Sequence, residues 1–139
     1  MNTFFILLLI FIYAYVGTIS SSMLIERYKK RIILSIIFLI FGIAFGIFTD
    51  DGKKDSYIAL GFLPLLHLFC YEILRFIFKP LIGKYPYSPY REKIGMKVNG
   101  KGYPKNRKVK LVDYFFALTL LFLPITILIL VMFFINKYD

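Results

Sequence analysis

His67, Cys70, Glu72 and Arg75 stand close together in one otherwise apolar stretch of this chain, from about Tyr57 to Phe78. Ionisable side chains in such a stretch are functional candidates by default, as proton carriers, ion ligands or partners for one another. On a helix, Glu72 and Arg75 at i and i+3 meet on one face and can neutralise each other. Arg75 can also reach toward lipid headgroups along its apolar stem. Between His67 and Glu72 a helix turns through about 140° and rises about 7.5 Å, so the two do not share a face and make a poor pair for direct proton exchange. The simpler expectation for His67 is a neutral imidazole hydrogen-bonded to Thr119, Thr126 or a carbonyl freed by proline. Pro64 and Pro124 each remove a helix hydrogen bond. A polar pocket between the third and fourth helices is therefore the expected place for any site.

Other chemistry is sparse. Cys70 is the only cysteine and His67 the only histidine. No intrachain disulfide, two-histidine haem site or Cys/His metal site can be built from them within one chain, and no cofactor is expected. There is no HExxH, no Ser-centred elbow, no phosphate-binding glycine loop and no acidic metal cluster. The chain is expected not to be an enzyme.

These residues must be positioned by elements that the composition defines well. Of 139 residues, 59% are hydrophobic, against about 45–50% in a soluble domain. The apolar residues fall in four blocks, about 3–24, 32–48, 57–78 and 113–135, and a span needs roughly 20 such residues to cross about 30 Å of hydrocarbon. The expected fold class is all-α, an integral membrane four-helix bundle with antiparallel up-down connectivity. A long basic loop, 79–112, joins helices 3 and 4, and the whole chain forms a single transmembrane domain. The first block lacks the basic start of a signal peptide, and Ala14-Tyr15-Val16-Gly17 is a poor cleavage site.

Net charge is +10, and its distribution orients the chain. Arg27, Lys29, Lys30 and Arg31 occupy the first link. Lys79, Lys84, Arg91, Lys93, Lys97, Lys101, Lys105, Arg107, Lys108 and Lys110 occupy the long loop. The other side holds only Lys53, Lys54 and Lys137. Basic loops stay cytoplasmic, which places both termini outside. Use of Ile, Phe, Lys, Asn and Tyr suggests an AT-rich genome, hence a bacterial inner membrane. With no tryptophan in the chain, Tyr57, Tyr114 and Tyr138 are the expected interfacial anchors.

Small residues govern helix contact in lipid. The first helix offers Ala14, Gly17, Thr18, Ser21 and Ser22, and the second offers Gly42 and Gly46 in a GxxxG pattern. Both are expected in packing, within one chain or in a homodimer, with overlap near Ala14 and Gly42. The third helix gains about −6 kcal/mol from its Leu, Ile and Phe residues, while each central charge costs about +2.5 to +3.5. Its polar side should face the bundle.

The basic loop interleaves its charges with Tyr85, Tyr87, Tyr90 and Tyr103, and Asn99-Gly100 signals a hairpin turn. Lys84, Arg91, Lys93, Lys97, Lys101, Lys105, Arg107, Lys108 and Lys110 are expected to meet anionic lipid headgroups or an acidic partner. Nucleic acid is not expected, because the positive-inside effect already accounts for the charge. The expected function is non-enzymatic protein–protein contact in or at the membrane, as an accessory subunit or immunity-type protein, with another membrane protein or a second copy as partner. The alternative is a small oligomeric proton- or cation-coupled transporter or channel using Glu72 and His67.

Overall fold

The computed structural model describes residues 3–17, 25–49, 52–83, 86–89, 92–98 and 103–138. Among these it is all-helical: α1 (Thr3–Gly17), α2 (Ile25–Phe48), α3 (Lys54–Ile82) and α4 (Leu111–Tyr138). The only β-type pairing among the described residues is a single antiparallel bridge, Lys97 to Lys108. Three helices are long and apolar enough to cross a membrane, over Tyr28–Phe48, Lys54–Ile82 and Leu111–Ile135. The chain is a membrane protein with transmembrane helices. α1 is apolar but, at 15 residues, rises only about 22 Å. Residues 18–24, which the expected first span takes in, lie outside the described residues, Thr18 and Ser21 among them.

Helix limits differ from the expected blocks where charge does not interrupt helix. α2 starts at Ile25 rather than near 32. Residues 25–31 contain no Gly or Pro, and Glu, Arg and Lys are good helix formers, so the charged link is the first part of the helix. Arg31 is buried there. Its Nε donates to the Tyr15 carbonyl at 3.2 Å, and its guanidinium lies 5.0 Å from the Tyr15 ring centroid. α3 runs on through Pro80 to Ile82 and stops at Gly83, whose φ of 85° suits glycine and whose N–H returns to the Lys79 carbonyl at 2.8 Å. α4 starts at Leu111, and the Asp113 carboxylate accepts the Lys110 N–H at 2.7 Å. That reach-back from the third helical position is one half of a capping box.

α3 is the central element, since it packs against each of the other three helices. In its most apolar stretch 61% is buried, against 28% in α2 and 17% in α4. The α2–α3 contact is the closest. A Cβ added at Gly42 would lie 2.8 Å from the Tyr57 carbonyl oxygen and 2.9 Å from the Gly61 Cα, and one at Gly46 would lie 2.9 Å from the Lys54 carbonyl oxygen. The GxxxG face therefore meets α3, not the small residues of α1. The short link after Phe48 turns α3 back along α2, so Gly46 faces Lys54 and Gly42 faces Gly61. Beside this contact, Phe5 of α1 is buried with its ring 5.3 Å from Phe38 and 5.0 Å from Tyr57, edge-on to the latter. Aromatic pairs of this kind add about 0.5–1.5 kcal/mol each beyond area burial.

Candidate functional site

The long loop has a core of its own. Lys93–Met96 form a turn closed by Met96 N–H to the Lys93 carbonyl at 3.0 Å, with Gly95 at φ 87° in the third position, which favours glycine. A second turn closes from Arg107 N–H to the Pro104 carbonyl at 2.9 Å. Between them, Val98 donates to Arg107 at 2.8 Å and Val109 to Met96 at 2.9 Å. Tyr87, Val98 and Val109 are buried together, with Tyr103 and Tyr114 packed against them.

Phenols and carboxylates lock this unit onto α4. The Tyr87 hydroxyl donates to Glu92 Oε1 at 2.5 Å, and Tyr103 donates to the Pro86 carbonyl at 3.0 Å. The Tyr114 hydroxyl donates to the Glu92 carbonyl. Arg107 pairs with Asp113, with side-chain exposures of 9% and 0%. Burial, and then the bond to Glu92, push the Tyr87 phenol up to about 12. Burial likewise raises Tyr103. Glu92 and Asp113 are the only acidic residues from 79 to 113. One holds a tyrosine and the other is buried on an arginine, whereas Lys93, Lys97, Lys105, Lys108 and Lys110 are all exposed. Lys110 also reaches the Leu81 carbonyl at 3.2 Å, tying the start of α4 to the end of α3. Arg107, grouped by sequence with the docking residues, serves to hold the loop. Lys84, Arg91, Lys101 and the Asn99-Gly100 turn lie outside the described residues.

The intramembrane candidates separate. Glu72 and Arg75 form an ion pair at 3.0 Å with side-chain exposures of 37% and 41%, so this part of the polar side of α3 is not enclosed. They line a recess with Phe76 and Lys79. His67 is buried and points elsewhere: its Nδ1 lies 3.3 Å from the Tyr13 hydroxyl of α1, the two rings edge-to-face at 5.3 Å. Thr119 and Thr126 bond within α4, to the Phe115 and Phe122 carbonyls at 2.8 and 2.9 Å. The partner of His67 is thus a tyrosine of the first helix. Tyr13 carries no local sequence signal that it faces inward.

A cavity of about 460 Å³ adjoins His67. α1 contributes Tyr13, Ala14 and Gly17, the loop Ser88 and Pro89, and α4 the face from Tyr114 to Leu121. It lies among α1, α3, α4 and the loop rather than between α3 and α4 alone. No three His, Cys, Asp or Glu residues converge on a metal-binding geometry among the described residues. No family model, curated protein or solved structure matches the chain.

Proposed function

We propose that this is a small non-enzymatic membrane protein that acts by contact with another protein, as an accessory subunit or an immunity-type inhibitor, and that the folded loop is its docking face. In this reading the four helices form an up-down bundle in a bacterial inner membrane, with both termini outside and the loop in the cytoplasm. The observation that carries the proposal is the segregation of charge on a preorganised unit. Both loop carboxylates are engaged inward, and the exposed lysines form a surface without compensating acid. A rigid cationic face of this kind selects an acidic protein surface and pays little ordering entropy on binding. A draped, unfolded basic segment would serve an anionic leaflet equally well and would need no tyrosine core.

The test is site-specific photo-crosslinking from positions 97 and 108 in cells at native expression. One discrete protein adduct is expected, lost when Lys93, Lys97, Lys105 and Lys108 are changed to Glu and kept when they are changed to Arg. Adducts to lipid alone, or a protein adduct indifferent to charge reversal, would overturn the docking role. Cation flux into proteoliposomes that disappears in Glu72→Gln would replace it with transport.

A further inference from the structure

The cavity beside His67 has three properties that belong together. Its volume, about 460 Å³, falls in the range of about 300–1,000 Å³ typical of small-molecule sites. Its walls are mainly apolar, and Ala14, Leu118 and Leu121 at its edge are exposed on apolar helices. Its deep polar group is incompletely used. His67 is only 3% exposed, and its Nε2 is buried without a hydrogen-bond partner among the described residues. A buried polar atom left in that state is costly unless something satisfies it.

The hydrogen bond to Tyr13 fixes what the His67–Tyr13 pair can offer a ligand. If the Tyr13 hydroxyl donates to Nδ1, a neutral His67 carries its proton on Nε2 as an outward donor. If Nδ1 carries the proton and donates to the Tyr13 oxygen, the tyrosine O–H becomes the spare donor. Either way the pair retains one donor for an incoming acceptor, inside a pocket otherwise suited to hydrocarbon. A charged head would be desolvated there with no counter-charge among the described lining residues, which disfavours it.

We propose that this cavity binds a bilayer-derived amphiphile, with a neutral carbonyl at the His67–Tyr13 pair and an apolar tail leaving between α1 and α4 past Ala14 and Leu118. An acyl ester of an uncharged glycerolipid and the ring carbonyl of an isoprenoid quinone share this chemistry. Entry is from the membrane, because the exposed residues at the edge are apolar.

The experiment uses the purified full chain in detergent with three photoreactive probes, each carrying a diazirine in its tail: a diacylglycerol, a tailed benzoquinone and a long alkane without a carbonyl. Labelled peptides are located by mass spectrometry. One carbonyl-bearing probe is expected to label the segments around Ala14 and Leu118, and which one does so identifies the source. Leu118→Trp, at the exposed edge, obstructs the cavity with little risk to folding and should abolish that labelling. The double change His67→Phe with Tyr13→Phe keeps both rings and removes the donor in either tautomer. It should weaken the carbonyl probe by up to about tenfold, the worth of one hydrogen bond, and leave the alkane unchanged. Labelling spread evenly over the lipid-facing helices, equal labelling in Leu118→Trp, or an alkane bound as well as the carbonyl probes would each overturn the proposal.

Discussion

Arg107 and Asp113 are the residues on which the loop's attachment turns. Their charges are nearly enclosed, and removing one member of a buried pair strands the other, at a cost of about 3–5 kcal/mol. Asp113→Asn also weakens the cap on the Lys110 N–H. Arg107→Ala and Asp113→Asn should therefore both speed hydrogen exchange at the Val98 and Val109 amides, which hold the two loop segments together, while the helices keep their protection. Protection unchanged in both variants would mean that the tyrosine core holds the loop alone. Tyr87 gives the loop a pH limit. Its phenol ionises near 12 when folded, against about 10 in an unfolded chain. Its contribution is thus complete below about pH 10 and declines as pH rises toward 12. Protection at these amides, corrected for base-catalysed intrinsic exchange, should fall across that window in the native chain. Tyr87→Phe, which has already lost the bond to Glu92, should start less protected at neutral pH and respond less. At this scale the sequence was least informative. The pairing of Arg107 with Asp113 needs the loop to fold, and the pairing of His67 with Tyr13 needs α1 to sit against α3. Neither is encoded in local spacing.

At the scale of elements, the glycines distinguish a contact from a mere composition. Gly42→Ala puts a methyl 2.8 Å from the Tyr57 carbonyl oxygen and Gly61→Ala one 3.1 Å from the Gly42 Cα, whereas at Gly17 nothing among the described residues lies within 4 Å. Backbone cannot yield as a side-chain tip can, so the first two substitutions should destabilise by about 1–3 kcal/mol. Gly17→Ala should be neutral or slightly stabilising through its better helix propensity. Thermal unfolding in a single detergent compares the three, and equal effects would refute close α2–α3 contact. The apolar blocks that become α2, α3 and α4 are readable from sequence because lipid imposes a long uninterrupted pattern. The start of α2 is not, because charge interrupts the apolar pattern without ending a helix in water or at an interface. GxxxG announces a close approach but not its partner, and the hairpin link decides that partner in favour of α3.

For the whole molecule, the side of the membrane that the loop occupies is the largest remaining test. In a Cys70→Ala background, which removes the buried native thiol, Lys105→Cys should resist a membrane-impermeant maleimide applied to intact cells and react once they are opened. Lys53→Cys, at the other end of α3, should react from outside. The reverse pattern would invert the molecule and remove the cytoplasmic docking face. The glycine contact has a further consequence, for how the chain reaches the bilayer at all. The third segment carries a histidine, a glutamate, an arginine and two prolines, a poor passenger for the translocon by itself. Its tightest neighbour is the strongly apolar segment made just before it, separated by only a few residues. The two can enter lipid as one helical hairpin, the oily member carrying the polar one. A chain truncated after residue 90 and released should already resist carbonate extraction, and the same chain with Gly42→Leu should insert with the third segment left partly outside.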